Sequence, residues 1–224
     1  MASHSEQSLL NSWQNNSLSW VKAIRNNEIE SRRLVTNKAI HDEILAFPQS
    51  SIIDIGCGEG WLTRMLFSKG YSVTGIDATK ELIDVAIAGG GGDFITLKYE
   101  DISPEYFNTK FDLAVSNFSL LGEDSVNVLF KALPRILTES GCLIIQTVHP
   151  FFVSLGADYI DGWREESWGR FSNESFEPSP WYFRTVESWI ELFVQNRFSI
   201  VKIKEPLNPN TQKPESLIII GVLT

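Results

Sequence analysis

Apolar residues recur at helical spacing through Leu18, Val21 and Ile24, and again through Leu34, Ile40, Ile44 and Leu45. Residues 1–47 are therefore predicted to form a helical extension that ends at Pro48. From residue 51 the pattern changes to short β-branched runs separated by amphipathic stretches. Strands are predicted at 51–55, 72–76, 94–99, 111–116, 142–148, 198–205 and 216–223, and helices at 60–69, 79–88, 124–138 and 186–196. Strands and helices that alternate imply a mostly parallel sheet covered on both faces. Only 206–215, rich in Pro and Asn, separates the last two strands. That is too short for a crossover helix, so those two should be antiparallel neighbours. Residues 149–184 break the rhythm. They carry no clear period and hold Phe151, Phe152, Tyr159, Trp163, Trp168, Phe171, Phe176, Trp181, Tyr182 and Phe183. A loop of this length in a compact domain is usually functional. It leaves the chain at a strand end, so it is expected to be a lid or a substrate wall.

Composition narrows the function classes. At 224 residues and 43% hydrophobic, the chain can bury one sizeable core and is too apolar for disorder. Its net charge of −9 opposes a general nucleic-acid footprint. The two cysteines, Cys57 and Cys142, are too few for a disulfide framework. The first residues lack a signal-peptide pattern, and the apolar run 217–223 is too short to span a bilayer. The expectation is a soluble, cytoplasmic protein.

The most specific local signal is Ile52-Ile-Asp-Ile-Gly-Cys-Gly-Glu-Gly60. A buried strand runs into glycines 56, 58 and 60, and a helix follows. Bare backbone at such a turn lets a ligand approach closely. The dinucleotide pattern G-x-G-x-x-G requires glycine at 61, where this chain has Trp61. Asp54 adds a carboxylate near the strand tip, which suits a cationic or hydroxyl-bearing ligand. Asp77 closes the second strand, about 20 residues past the turn. It reads as the acceptor for a ribose diol, or else as a cap on the next helix. Asp101-Ile102 reads either as an amine acceptor beside an apolar ring contact or as a turn before Pro104. Glu100 reads as solvated. Asn117-Phe118 ends the fourth strand and His149 the fifth. His149 is a candidate general base or a hydrogen-bonded structural histidine.

Together these residues resemble the class I S-adenosylmethionine-dependent methyltransferases, strongly over about 48–148 and more weakly after that. Asp54-Ile-Gly-Cys-Gly-Glu-Gly60 is similar to the family's first motif, and Phe111-Asp-Leu-Ala-Val115 to its fourth strand. The resemblance implies a doubly wound, Rossmann-like sheet in the order 3-2-1-4-5-7-6 with its last strand antiparallel. It implies that Asp54 and the backbone of Gly56, Cys57 and Gly58 hold the methionine end of S-adenosylmethionine. Asp77 would take the ribose, Ala78, Asp101 and Ile102 would frame the adenine, and Asn117 and Phe118 would lie near the sulfonium. The expected activity is methyl transfer to an O, N or C atom of a small molecule, leaving S-adenosylhomocysteine, with no metal. The flanks, including Trp13, Trp20, Arg25, Glu30-Ser-Arg32, Asp161-Gly-Trp-Arg164 and Pro180-Trp-Tyr-Phe-Arg184, are similar to a bacterial subgroup of unassigned substrate. The Asp/Asn-Pro-Pro-Tyr/Phe motif of nucleic-acid amino-methyltransferases is missing, since Phe118-Ser119 follows Asn117.

The remaining aromatics and charges leave choices open. Trp13 and Trp20 share a helix face and are either packing residues or a lid over the cofactor. Trp163, Trp181, Tyr182 and Arg184 either line an acceptor site or form a small satellite core. Arg25, Arg32 and Arg33 are solvated, or one of them clamps an acidic substrate. The alternatives to a methyltransferase are a nicotinamide-dependent oxidoreductase and a non-catalytic cofactor-binding regulator.

Overall fold

The computed structural model describes residues 5–47, 51–166 and 174–224. Trp168 and Phe171 of the aromatic insertion lie outside them. A seven-stranded sheet runs β3-β2-β1-β4-β5-β9-β8. Its strands are β1 (Ser51–Ile55), β2 (Ser72–Asp77), β3 (Asp93–Thr96), β4 (Phe111–Asn117), β5 (Leu137–Val148), β8 (Phe198–Lys204) and β9 (Ser216–Leu223). β9 pairs antiparallel with both β5 and β8, and the first five strands pair in parallel. The expected order 3-2-1-4-5-7-6 is this one. The numbering differs because a hairpin, β6 (Gly162–Glu166) and β7 (Ser179–Phe183), forms a second, two-stranded sheet inside the insertion.

The β-branched runs explain the layering. Alternate residues of each central strand enter opposite cores. Ile53, Ala114, Leu143 and Ile219 face one side, and Ile52, Leu113, Ile144 and Ile218 face the other. Being buried on both faces turns the strand pattern into continuous apolar runs rather than alternation. The first core is covered by α5 (Asp124–Ile136) and α7 (Val186–Gln195), the second by α2 (Asn37–Leu45) and α3 (Trp61–Phe67). The helix α4 (Lys80–Gly89) follows β2.

Several boundaries moved. β3 stops at Thr96 instead of running to residue 99, because a 3-10 turn takes over at Tyr99–Asp101. α5 ends at Ile136, and β5 starts at once at Leu137. Leu137 pairs with Phe111 across a register irregularity before regular pairing resumes at Cys142. The insertion is not structureless. A short helix α6 (Pro150–Val153) precedes the hairpin, in which Trp163 pairs with Tyr182 and Arg164 with Trp181. Strand alternation was hidden there because β6 is mostly charged and β7 is buried almost throughout.

The N-terminal helix α1 (Glu6–Arg25) packs against α4 and β7. Its first residue is an anchor. One Glu6 carboxylate oxygen accepts from the backbone N–H groups of Glu123 and Asp124 at 2.6 and 2.8 Å, and the other accepts from Ser125 Oγ at 2.8 Å. A carboxylate at the start of α5 meets the positive end of that helix. A third cluster, Leu9, Leu121, Trp181 and Phe183 with Trp13 and Trp163 against it, joins α1 to the hairpin. No described helix is long and apolar enough to cross a membrane.

Candidate active site

The carboxyl ends of the parallel strands form a cleft with a cavity volume of about 110 Å³. The glycine turn is its floor. Gly56, Gly58 and Gly60 all hold left-handed φ, at 70°, 57° and 85°. A Cβ on Gly56 would sit 2.2 Å from the Ser119 Cβ, whereas one on Gly58 would meet nothing within 4 Å. The turn is thus packed from behind and bare in front, the form a ligand cradle takes.

Asp77 is at the tip of β2 and lines the cleft. Its carboxylate accepts from Gly58 N–H at 3.0 Å and Thr79 N–H at 2.8 Å. Burial raises its pKa, against those two donors. Asp54 does not line the cleft. It is buried behind the turn, where Thr63 Oγ1 donates to it at 2.7 Å. Burial pushes its pKa up to about 7, the Thr63 bond works the other way, and the nearby Asp77 charge adds to the rise. Two uncompensated carboxylates under one turn favour a cationic ligand. The third acid of the turn, Glu59, is taken up by ion pairs with Arg64 and Arg25. The Cys57 thiol is buried, which raises its pKa well above the ordinary value. It is held neutral, and only the backbone there is useful to a ligand.

The opposite wall holds Ala78, Lys98, Tyr99, Glu100, Asn117 and Phe118. The 3-10 turn after β3 sets Glu100 on the cleft, leaves Asp101 exposed and sends Ile102 into the core. Neither Asp101 nor Ile102 lines the cleft. The sequence pattern gave no sign of that tight turn, which rotates side chains out of strand alternation. Tyr99, whose phenol burial keeps neutral, donates to Ser119 C=O at 3.2 Å. Asn117 Oδ1 is buried without a hydrogen-bond partner among the described residues. Phe118 holds φ of 56°, costly for an aromatic residue.

A second cavity of about 230 Å³ adjoins the first. Trp13, Trp20, Arg32, Phe118 and Leu121 line both. The two tryptophan rings meet edge-on at 5.5 Å. His149 and Phe152 complete the far wall. His149 is buried, and its Nε2 lies 2.7 Å from Glu205 Oε1, while its Nδ1 has no partner among the described residues. Arg32 lies on a π-helical turn, Arg32–Thr36, with its guanidinium 4.8 Å above the Trp61 ring and Nη2 without a hydrogen-bond partner among the described residues. Burial lowers its pKa to about 10, with Glu59 holding it up, so it stays cationic at neutral pH.

Trp181, Tyr182 and Arg184 line a small separate pocket behind Leu121, and Trp163 packs on the cluster that joins α1 to the hairpin. Arg184 donates to the Gly122 and Glu123 carbonyls at 2.8 and 2.9 Å. Trp163 Nε1 donates to Glu123 at 3.0 Å. These four side chains fasten the hairpin to the loop before α5 and face neither large cavity. Glu205 and Glu6 had no readable signal, because their partners are 56 and 117 residues away in sequence.

Residues 53–145 match a family model described as a methyltransferase domain. Over that segment the chain is similar to methyltransferase domains. It is 30% identical over 119 residues to a ubiquinone biosynthesis O-methyltransferase of Pelagibacter ubique, covering 50% of each. The chain spans about half the length of the curated relatives it matches first. Its fold is similar to a putative S-adenosylmethionine-dependent methyltransferase from Listeria monocytogenes, with a TM-score of 0.68, 22% identity, and 83% and 96% of the two chains covered. It is also similar to the 1,6-didemethyltoxoflavin-N1-methyltransferase of Burkholderia thailandensis, whose structure holds S-adenosylhomocysteine. There the TM-score is 0.67, the identity 17%, and the coverage 97% and 88%. The methyltransferase domain match spans the glycine turn, Asp77 and Asn117; the second cavity is built largely outside it.

Proposed function

We propose that this protein transfers a methyl group from S-adenosylmethionine to a small-molecule acceptor. The observation that carries the reading is the pair of joined cavities. One is floored by the glycine turn and Asp77, the other is walled by aromatic rings, and Phe118 stands between them. The open face at Gly58 and the orphaned Asn117 Oδ1 fit the cofactor's methionine end. Gly56, Cys57 and Gly58 would hold that end through backbone groups, with Asp54 behind them. The unpartnered Arg32 Nη2 fits its carboxylate. Asp77 would take the ribose diol. Ala78, with Tyr99 and Glu100 in place of the Asp101 and Ile102 side chains, would flank the adenine. When bound, the cofactor supplies an electrophilic methyl on a positively charged sulfur.

The chain's own residues supply position and exclusion of water. Phe118, Trp13 and Trp20 keep an acceptor in contact with the cofactor cleft, and alignment for in-line displacement is a large part of catalysis. Residues 1–47 act as the lid, with α1 tied down by Glu6. A charge of −9 disfavours nucleic acid as the acceptor. Two free, buried cysteines suit a reducing cytoplasm.

Calorimetry with S-adenosylhomocysteine tests the assignment. Saturable binding at one site is expected. Absence of binding, together with binding of NADH, would replace the reading with an oxidoreductase. Cofactor binding without turnover across a broad acceptor panel would leave a regulator.

A further inference from the structure

Among the described residues, two that line the joined cavities and lie outside the domain match carry a buried polar atom without a partner: Arg32 Nη2 and His149 Nδ1. The first has a role above. The second points to the acceptor. An ionised carboxylate can only accept hydrogen bonds. With Glu205 Oε1 2.7 Å from Nε2, a neutral His149 must carry its proton on Nε2 and leave the lone pair on Nδ1. A buried acceptor atom ordinarily finds a donor. None of the described residues provides one for Nδ1, and the ring lines the second cavity.

We propose that the second cavity takes a flat, hydroxyl-bearing acceptor, and that His149, positioned by Glu205, removes the hydroxyl proton through Nδ1. This rests on the methyltransferase reading above. The cavity wall decides the rest of the acceptor. Trp13, Trp20, Phe118 and Phe152 offer ring faces and edges, which suit a planar, largely apolar molecule. The charged groups facing the site are few. Glu205 is on the histidine, the Glu215 carboxylate is held by Asn208 at 2.6 Å, and Arg32 is the cation. In the step itself the O–H bond breaks, the proton goes to Nδ1 and the electron pair stays on oxygen. That pair forms the bond to the methyl carbon, whose bond to the cofactor sulfur breaks with its electrons going to sulfur. The products are a methyl ether, a neutral thioether and a protonated His149, which returns its proton to water. Glu205 touches neither substrate nor cofactor, so its part is to fix the ring and stabilise the imidazolium, as a carboxylate does behind other histidine bases.

The test uses the full chain loaded with S-adenosylhomocysteine and 4-nitrophenol as the hydroxylated probe, whose ionised form is yellow. Histidine-labelled protein should show, by long-range proton–nitrogen NMR, a slowly exchanging downfield proton on His149 Nε2. Glu205→Ala should lose that resonance; Glu205 is more than half exposed, so the variant keeps its fold. The wild type should bind the probe as phenolate at a pH where the free probe is mainly neutral, and His149→Ala should lose the colour. A proton on Nδ1, an unchanged resonance in Glu205→Ala, or a probe that binds only as the neutral phenol or not at all overturns the proposal. Calorimetry separates the two levels. If the wild type takes up no S-adenosylhomocysteine, the methyltransferase reading itself fails; if it does and the signatures are missing, only the proposed dyad and acceptor class fail.

Discussion

Asp77 and Asp54 show how two carboxylates near one turn acquire different jobs. Asp77 spends one oxygen on the Gly58 N–H and the other on Thr79 N–H, yet stays on the cleft. Adding the ribose diol gives it further charge-assisted bonds. Removing such a group costs about 1.5–3 kcal/mol, so Asp77→Ala should weaken S-adenosylhomocysteine binding roughly 10- to 100-fold by calorimetry. An unchanged affinity would take Asp77 out of the site. Asp54 is buried with its pKa up at about 7. A folded-state pKa raised above the unfolded one means that the native protein holds its proton more tightly. The associated stability is present in full below about pH 4 and is lost as pH rises through 7. The loss is on the order of 4 kcal/mol. The thermal midpoint of the free protein should therefore fall between pH 5 and pH 8. In Asp54→Asn, which keeps an acceptor for Thr63 Oγ1, the slope should flatten. An identical slope in the variant would show that another group sets it. Gly58 and Asp77 were readable as residues because their types and separation are themselves the chemistry. The inward turn of Asp54 and the outward turn of Asp101 were not, since both depend on backbone twist a residue or two away.

At the scale of elements, the sheet was legible and its attachments were not. Continuous apolar runs mark strands buried on both faces, and the short 206–215 connection required the antiparallel last pair. The hairpin of β6 and β7 escaped detection because β6, Gly162-Trp-Arg-Glu-Glu166, holds a single large apolar residue and β7 is buried almost throughout, so neither strand shows an alternating pattern. The α1 helix was evident from its period, but its anchor was not. Glu6 caps α5 from a distance of 117 residues, satisfying donors that would otherwise lack partners. Glu6→Ala should destabilise the protein by about 1 kcal/mol, the usual value of a cap. More tellingly, hydrogen exchange should accelerate across α1 while the central strands stay protected. Uniform acceleration everywhere would mean that Glu6 supports the whole fold and not the lid.

For the whole molecule, the two cavities share walls contributed by α1, by the turn at Arg32 and by the loops after β4 and β5. Ligand in the first cavity should thus stabilise the lid as well as the sheet. At a hundredfold excess over its dissociation constant, S-adenosylhomocysteine should add about 2.7 kcal/mol, read as a rise in thermal midpoint, with exchange slowed in α1 as well as at the glycine turn. Protection confined to the turn would leave α1 outside the site.

The succession of strands and helices, the two-sided core, the glycine turn and an acid about 20 residues past it were determined by the sequence alone, while the order of the strands came only through the family resemblance. Each feature read from the sequence alone depends on neighbours within a few residues or on a repeating period, which a single chain displays openly. The second cavity, the Arg32 position over Trp61, the His149–Glu205 pair and the Glu6 anchor were decided by tertiary structure. In those, partners lie far apart in the chain, and only closure of the sheet and docking of α1 bring them within hydrogen-bond or ring-contact distance.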